Sequence, residues 1–227
     1  MDSNVSALIE KNIAEINEYL LDVEKATGSH IHLVGATKTR TAEEINFAVD
    51  CGLKIVGENR AQEFRDKLPL VSDLAEKHFI GHLQANKIKY VVGKASLIHS
   101  CDSVELAREV SLYASRLGVV QDMLIEVNIA GEESKHGFLK DELLSSVSLL
   151  KSLSNVRFRG LMTVLPHDLR AESCAEAMKR LYDRLNGELA NFDILSMGMS
   201  EDYKIAIRHG GNMIRLGRAI FGERRTL

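Results

Sequence analysis

The chain has few of the features that mark secreted, membrane or nucleic-acid-binding proteins. It carries 29 Lys and Arg against 32 Asp and Glu, a formal net charge of −3, so no strongly basic field is present to attract a polyanion. Its N-terminal region has no basic leader and no long apolar run, which argues against a secretory signal and a transmembrane segment. We therefore expect a cytoplasmic protein that binds neither nucleic acid nor membrane.

Cysteine and proline are also scarce. The three cysteines, Cys51, Cys101 and Cys174, are widely spaced and form no Cys-x-x-Cys pair, so neither a disulfide framework nor a zinc ribbon is predicted. Only two prolines occur, and no Ser/Gly-rich linker interrupts the chain. We expect one domain over residues 1–227, a length that suits an α/β barrel.

Apolar strand-like runs alternate with amphipathic helical stretches along the whole chain. The chain opens with an apolar stripe that predicts a helix up to Gly28, formed by Val5, Leu8, Ile9, Ile13, Ile16, Leu20 and Val23. Thr41 with Glu44 forms a capping box for the next helix. Eight strands are predicted at residues 30–37, 53–56, 78–80, 97–99, 123–127, 158–164, 194–197 and 213–216. Helical stretches lie between most of them, for example at 104–117, 139–153 and 172–189.

This alternation predicts repeated β-α units around a parallel sheet. Eight units in 227 residues favour an α/β fold of the (β/α)8 TIM-barrel type with an extra N-terminal helix. The alternative is a doubly wound open sheet. That fold would be expected to carry a Gly-x-Gly-x-x-Gly turn after its first strand, and residues 35–39 do not have this spacing.

Lys38 is the most informative residue at the carboxyl ends of the predicted strands, where barrel proteins place their functional groups. It follows an apolar strand, so its stem can be shielded from water while its amine faces the mouth of the barrel. Desolvation disfavours the ammonium form, and a neutral amine is a nucleophile toward aldehydes. Lys38 is therefore a candidate Schiff-base lysine, and the simpler alternative is a solvated loop lysine.

A candidate phosphate site follows the seventh and eighth strands. Ser200 supplies a hydroxyl, and Gly217 with Arg218 opens a short helical stretch whose backbone N–H groups can bind an anion. Arg215 lies near the end of the eighth strand, which neighbours the first in a closed barrel and can bring Arg215 to the pocket of Lys38. An amine, a phosphate cradle and a fixed cation on adjoining strands suit a phosphorylated aldehyde.

No metal site is predicted. His78 and His82 have the i, i+4 spacing of a helical metal pair, but they lie along an extended segment in which four residues span roughly 13 Å, too far to share an ion. Near the C-terminus, Arg224 and Arg225 are interpreted as a solvated tail.

Five segments closely resemble the pyridoxal-phosphate homeostasis protein family, a set of single-domain barrels related to the N-terminal domain of alanine racemase. They are residues 34–39, 56–63, 78–87, 196–202 and 214–222. The resemblance implies pyridoxal 5′-phosphate (PLP) held as an internal aldimine, a Schiff base, on Lys38. It also implies that Ser200 and the Gly217–Arg218 turn hold the phosphate.

Two further site residues follow from the resemblance. Arg215 would face the pyridine nitrogen of the cofactor, and Asn59 would lie beside the cofactor within the family's Gly-Glu-Asn block. One position departs from the family, because many members carry Thr or Ser where this chain has Arg218. A longer cation replaces a hydroxyl donor there, although the backbone N–H can still serve.

The resemblance implies a carrier or buffer of PLP rather than an enzyme. Related racemases and decarboxylases carry a second, β-rich domain, and the barrel pattern here leaves only residues 222–227 beyond it. A guanidinium at the ring nitrogen keeps that nitrogen unprotonated, which makes the ring a poor electron sink. We therefore expect no catalytic residues, little turnover, a monomer, and PLP-dependent apoenzymes as recipients.

Two alternatives remain open. The first is a PLP-dependent amino-acid racemase, which would need an acid/base at the mouth, and Tyr203 is the only one of the five tyrosines expected near the rim. The second is a cofactor-free class I aldolase that uses Lys38 as its amine and grips a sugar phosphate. A yellow colour would separate a PLP protein from the aldolase.

Overall fold

The structure, a computed structural model, describes residues 1–223 and contains eight parallel strands. The strands are β1 (His32–Ala36), β2 (Ile55–Glu58), β3 (Glu76–Phe79), β4 (Leu97–Cys101), β5 (Gln121–Glu126), β6 (Val156–Met162), β7 (Ile194–Ser196) and β8 (Met213–Leu216). Each strand pairs with the next along the chain, and β8 pairs with β1 to close the barrel. The predicted (β/α)8 barrel is confirmed, while Arg224 and Arg225 lie outside the described residues.

Helices cover the outside of the barrel. They are α1 (Ser3–Thr27), α2 (Ala42–Asp50), α3 (Ala61–Lys67), α4 (Ile88–Val91), α5 (Val104–Leu117), α6 (Lys140–Lys151), α7 (Ala171–Leu185), α8 (Tyr203–Arg208) and α9 (Arg218–Phe221), with 3-10 turns at Leu68–Leu70 and Ala85–Lys87. Helix α7 ends four residues before the predicted position 189, because Asn186 accepts a hydrogen bond from the Phe192 N–H at 2.9 Å and turns the chain. Within residues 1–223, no helix is both long and apolar enough to cross a bilayer.

Helix α1 is the predicted extra helix before the barrel. It begins where the Asp2 side chain accepts a hydrogen bond from the Asn4 N–H at 2.9 Å. The apolar stripe is narrower than predicted, because Leu8 lies at its edge and is 42% exposed. The helix packs with α9, and the Asn12 side chain donates to the Ile220 carbonyl at 3.0 Å. This contact ties the N-terminal helix to the short helix that follows β8.

The capping box predicted at the start of α2 is present. The Glu44 N–H donates to the Thr41 hydroxyl at 3.2 Å, and the Glu44 carboxylate accepts from the Thr41 N–H at 2.8 Å. The two bonds satisfy N–H groups that the first helical turn would otherwise leave without acceptors. They also fix the chain three residues after Lys38, at the mouth of the barrel.

The barrel interior has an apolar layer below a polar one. One apolar cluster inside the barrel takes a residue from every strand except β3: Val34, Ile55, Leu97, Leu124, Met162, Ile194 and Met213. Side chains alternate along a strand, so a residue two positions further points to the same side. On four strands that next inward position is polar: His99, Glu126, Ser196 and Arg215. The polar layer lies toward the carboxyl end of the strands and forms the floor of the mouth.

Candidate functional site

A cavity of about 440 Å³ opens at the carboxyl end of the barrel, beside the ends of β1, β7 and β8. Its lining includes five of the six residues singled out by sequence, namely Lys38, Ser200, Arg215, Gly217 and Arg218. The remaining lining residues are Ala36, Arg40, His167, Met199, Glu201 and Glu223. The cavity has the size of a small-molecule site. The structure therefore brings together the amine, the cation and the candidate phosphate cradle.

Lys38 follows β1 in a turn that is braced from the side of β2 and α3. The Thr37 hydroxyl donates to the Glu58 carboxylate at 3.2 Å, and the Thr37 carbonyl accepts from Lys67 Nζ at 3.0 Å. Lys67 Nζ also lies 2.8 Å from carboxylate oxygens of both Glu58 and Glu63. Glu58 is only 4% exposed, so this Glu58–Lys67–Glu63 ion cluster is poorly screened by water.

Thr39, on the other side of Lys38, has a strained backbone. Its φ of 66° makes it the one non-glycine residue with positive φ in residues 1–223, a conformation that costs about 1–2 kcal/mol. The Thr39 N–H donates to Glu63 at 3.3 Å, and the Arg40 N–H closes the turn on the Thr37 carbonyl at 3.0 Å. Strain of this kind concentrates at functional sites. Here it shapes the turn that carries Lys38 at the cavity.

Arg215 is buried in the floor of the cavity, where it is 5% exposed. Its guanidinium donates to the Ser196 hydroxyl at 2.6 Å and to the Thr163 carbonyl at 2.9 Å. Burial lowers the pKa of Arg215 to about 10, against the opposing effect of Glu126 and Asp202. The group therefore remains a cation at neutral pH. Two of its five N–H donors are occupied by these partners, which leaves donors for a ligand.

A chain of hydrogen bonds runs from Arg215 through the barrel to Glu76 at the opposite end. Burial lowers the pKa of His78 and holds that of His99 well below the usual value, and the hydrogen bond from His78 lowers the pKa of Glu76. Both histidines are thus neutral at pH 7, and Glu76 is an ionised acceptor. We use the name neutral histidine chain for Arg215, Ser196, His99, His78 and Glu76, after its two neutral imidazoles. Its two end residues, Arg215 and Glu76, are charged.

The charge states assign one direction to every bond in this chain. His78 Nε2 donates to Glu76 at 3.3 Å, which leaves its Nδ1 to accept from His99 Nε2 at 3.1 Å. The remaining nitrogen of His99, Nδ1, accepts from the Ser196 hydroxyl at 3.3 Å. Since the Ser196 oxygen also accepts from Arg215, each member is satisfied by its neighbours.

The candidate phosphate residues lie at the start of α9. The Ser200 hydroxyl accepts from the Ala219 N–H at 3.2 Å, which holds the loop after β7 against this helix. Arg218 is ion-paired with Glu201, and its guanidinium lies 3.8 Å from Glu223. The longer side chain at position 218 therefore reaches carboxylates on the rim, and its charge is already balanced there.

Asn59 lies outside the lining of the 440 Å³ cavity but at the end of the neighbouring strand. Ala36 pairs with Gly57 across β1 and β2, so Lys38 and Asn59 each follow their paired residue by two positions. The side-chain Oδ1 of Asn59 is buried and has no hydrogen-bond partner among residues 1–223. A buried acceptor without a partner is rare in proteins, which makes this oxygen a candidate contact for a ligand beside Lys38.

Glu126 is a residue of the mouth that sequence reasoning missed. It ends β5 and faces inward, and burial, with a further effect of Asp102, raises its pKa to about 7. Perturbed carboxyl groups of this kind cluster at functional sites. Inward alternation along the strand is the sequence signal that identifies Glu126, His99 and Ser196.

Tyr203 does not line the cavity, although it was the tyrosine expected near the rim. It begins α8 and packs edge-to-face on Tyr19 of α1, with the ring centroids 5.7 Å apart. The ring thus forms part of the contact between the barrel and the N-terminal helix.

Of the histidines, His167 lines the cavity, 3.5 Å from Glu201.

Comparison with known proteins places this chain in a family. Residues 9–225 match the family described as alanine racemase, N-terminal domain. A pyridoxal phosphate homeostasis protein from Aquifex aeolicus (strain VF5) is 42% identical over 198 residues, which cover 85% of this chain and 87% of that protein. The chain belongs to the pyridoxal phosphate homeostasis protein family. The predicted family is therefore confirmed, and its members carry the name of a homeostasis protein rather than an enzyme, in agreement with the predicted non-catalytic role.

Solved structures confirm the fold. PipY of Synechococcus elongatus PCC7942, solved with PLP bound, has a TM-score of 0.84 at 28% identity, and the match covers 94% of this chain and 100% of PipY. An alanine racemase of Clostridium difficile 630 has a TM-score of 0.76 at 15% identity and covers 99% of this chain but 57% of the racemase. This second likeness supports the barrel fold alone.

Proposed function

We propose that this chain binds PLP in the 440 Å³ cavity as a Schiff base on Lys38 and serves PLP homeostasis as a carrier or buffer, with little or no turnover. The observation that carries the proposal is the convergence of Lys38, Arg215 and the Ser200–Gly217–Arg218 group on one cavity. The family relative PipY, solved with PLP bound, supports the choice of ligand.

The donor set suits a ligand that has an aldehyde and a phosphate. PLP supplies the aldehyde carbon, to which Lys38 Nζ forms a C=N bond while the carbonyl oxygen leaves as water. The brace around Thr37 and Thr39 holds the backbone on both sides of Lys38. We expect the buried Asn59 Oδ1 to find its missing donor only when the cofactor is present.

The phosphate would be held by Ser200 and by backbone N–H groups of Gly217 and Arg218. The Ser200 oxygen already accepts from Ala219, so its O–H is oriented by the same loop contact. Because Arg218 is paired with Glu201 on the rim, we expect its backbone to contribute more than its guanidinium. A hydrogen bond to a charged group contributes about 1.5–3 kcal/mol.

Arg215 would face the pyridine nitrogen. The cation keeps its proton at neutral pH and donates, so the nitrogen accepts and stays unprotonated. An unprotonated ring withdraws electrons weakly from a bound amino acid. This electronic effect favours storage and release of the cofactor over fast amino-acid chemistry.

We further propose a single-domain monomer over residues 1–227 that acts in the cytoplasm and delivers PLP to PLP-dependent apoenzymes. The three cysteines are unpaired, as expected for a reducing compartment. Delivery requires that the bound aldehyde can be released, which hydrolysis of the Schiff base by one water provides.

Binding is tested by titrating the purified chain with PLP and recording the visible spectrum. We expect a yellow band in the wild type, no such band in Lys38→Ala, and about tenfold weaker binding in Ser200→Ala. The control is Lys87→Ala, which changes a lysine outside the cavity and should leave the band intact. A colourless wild type that takes up no PLP would contradict the proposal and favour the class I aldolase.

The carrier role is tested by mixing the PLP-loaded chain with a PLP-free apoenzyme. We expect the apoenzyme to regain activity, while the loaded chain alone turns over amino acids far more slowly than ordinary enzymes, which reach about 10 per second. Racemisation of one amino acid at several per second would instead support the racemase-type alternative.

A further inference from the structure

A second cluster of chemically active side chains lies on another part of the barrel mouth. His82 follows β3, Asp102 follows β4, and His136 lies in the loop between β5 and α6. One potential ligand atom from each residue lies within 4.8 Å of the other two. In the closed barrel, β3, β4 and β5 are consecutive neighbours and lie away from the β7–β8–β1 side that carries the candidate PLP cavity.

One ligand-to-ligand distance in this His82–Asp102–His136 cluster is close to that of a metal site. His82 Nδ1 lies 3.0 Å from Asp102 Oδ2, and two ligands of a tetrahedral zinc ion with bonds of about 2.0–2.1 Å are about 3.3 Å apart. The His82 and His136 rings are stacked, with centroids 3.8 Å apart and planes 11° from parallel. Both histidines are exposed, so a rotation of the His136 ring can complete the convergence.

Asp102 is held in place by a neighbour that leaves one oxygen for the cluster. Its Oδ1 accepts from the Ser103 hydroxyl at 3.2 Å, and its Oδ2 faces His82. The Asp102 side chain is only 11% exposed. Partners of this kind orient metal-binding carboxylates and strengthen metal affinity.

The loop that carries His136 is held by the end of β5. The Asn128 side chain donates to the carbonyls of Glu132 and Lys135 at 2.8 and 3.2 Å and accepts from the Glu132 N–H at 3.1 Å. Gly137, which follows His136, has a φ of 113°, and a Cβ there would lie only 2.7 Å from the backbone nitrogen of Asn128. This fixed backbone keeps His136 on the rim beside His82.

We propose that His82, Asp102 and His136 bind one divalent transition-metal ion, for which Zn²⁺ is the test ion. Imidazole nitrogens with one carboxylate suit zinc and its transition-metal neighbours, whereas Mg²⁺ and Ca²⁺ prefer all-oxygen sites. Three protein ligands leave at least one coordination position for water or for an anionic ligand at the mouth. The site is independent of the proposed function, because none of its ligands lines the candidate PLP cavity.

The opposite end of the barrel provides a natural control. There His30 Nδ1 lies 2.8 Å from Glu24, and the His30 and His32 rings are 4.7 Å apart but nearly perpendicular, at 88°. This set also has two histidines and one carboxylate, but its donor atoms do not converge as the rim ligands do. Geometry rather than composition therefore separates the two sets.

The experiment is a Zn²⁺ titration of the full chain, freed of metal with a chelator, in competition with a chromophoric zinc indicator. We expect the chain to bind one equivalent of Zn²⁺ with a Kd of about 1 μM or tighter, which corresponds to a binding free energy of about −8.2 kcal/mol or more favourable. His136→Gln and Asp102→Asn should each weaken binding at least tenfold, whereas His136→Cys should keep it because a thiolate also binds zinc. His30→Gln and Lys38→Ala should leave it unchanged.

A second readout is the visible spectrum of the Co²⁺-loaded chain, in which we expect ligand-field bands that His136→Gln removes. Unfolding of the variants in urea separates ligand loss from misfolding, and both histidines are exposed, so we expect unchanged unfolding. Zinc binding that survives both rim variants, that is lost in His30→Gln, or that is not saturable at about 100 μM would overturn the proposal.

Discussion

Lys38 and Arg215 line the same cavity, but the protein holds them in different ways. On either side of Lys38, the Glu58–Lys67–Glu63 ion cluster fixes the backbone of the turn. Around Arg215, the neutral histidine chain and the Thr163 carbonyl fix the guanidinium itself. These bonds thus fix the backbone of the turn around Lys38 and, at Arg215, the side-chain atoms themselves.

The difference matches the two tasks proposed for these residues. An amine that forms and releases a C=N bond must be able to lose its proton, and the surroundings of Lys38 fix the backbone of the turn that carries it. A cation that only faces a ring nitrogen must keep its charge and position, so its own N–H groups are bonded. Neutral partners serve this purpose because they add no charge that would repel or neutralise the guanidinium.

The largest expected effect comes from breaking the ion cluster. Glu58→Gln removes the most buried carboxylate of the cluster and leaves Lys67 with Glu63 as its carboxylate partner and the Thr37 carbonyl as a neutral one. Loss of one partner of a buried ion pair costs about 3 kcal/mol of unfolding free energy, which urea denaturation measures. Glu63→Gln is the control, and its side chain is 25% exposed, so it should cost clearly less. Equal losses in the two variants would contradict the assigned role of Glu58.

The corresponding substitution beside Arg215 is Ser196→Ala, which interrupts the neutral histidine chain. It leaves an Arg215 N–H and His99 Nδ1 without partners in the interior, which should cost about 2 kcal/mol by urea denaturation. Ser100 is a matched control, because it is 1% exposed and its hydroxyl has no hydrogen-bond partner in the described part of the chain. Ser100→Ala should therefore be neutral or stabilising, and a loss as large as that of Ser196→Ala would contradict this interpretation.

A smaller effect tests whether the histidine chain is neutral. The folded pKa of His99 lies well below the usual histidine value of 6.5, so below pH 6.5 the unfolded chain takes up a proton that the folded chain does not. The free energy of unfolding then falls by about 1.4 kcal/mol per pH unit for such a group until the folded pKa is reached. His99→Gln should lose about 1 kcal/mol less than the wild type between about pH 6.5 and 5.5, because the unfolded histidine is already half protonated at the upper limit. Parallel pH curves for the two proteins would contradict this interpretation, because they would mean that folding does not lower the pKa of His99.

The smallest expected effect concerns the strained turn. Thr39→Gly should raise the free energy of unfolding by about 0.5–1 kcal/mol, because glycine adopts a positive φ without steric cost but loses more entropy on folding. Thr41→Ala, two residues away, should lower it by about 1 kcal/mol through loss of the helix cap. A loss of stability in Thr39→Gly would mean that the threonine side chain itself holds the turn.

The sequence was sufficient to predict the barrel and one side of its mouth. Alternating strands and helices identify the fold, because parallel strands buried on both faces are continuous apolar runs. Strand ends identify Lys38, Ser200 and Arg215, which the structure brings to one cavity. The boundaries of β2 and α7 were displaced by a few residues, because local turns and side-chain bonds decide where an element stops.

The partners of these residues could not be predicted in the same way. Ser196, His99 and His78 come from three different strands, and their contact depends on the register with which β3, β4 and β7 enter the barrel. The ion cluster likewise depends on how α3 folds back over β1. His82 was correctly separated from His78, yet its true neighbours, Asp102 and His136, follow later strands.

The most direct test of the different roles proposed for Lys38 and Arg215 is to trap the cofactor chemically. The PLP-loaded chain is reduced with borohydride, digested, and the peptides are mapped by mass spectrometry. We predict one reduced adduct, on Lys38, with Lys67 unmodified because its Nζ is held by Glu58, Glu63 and the Thr37 carbonyl. An adduct on Lys67 or on surface lysines, with Lys38 unmodified, would contradict the account.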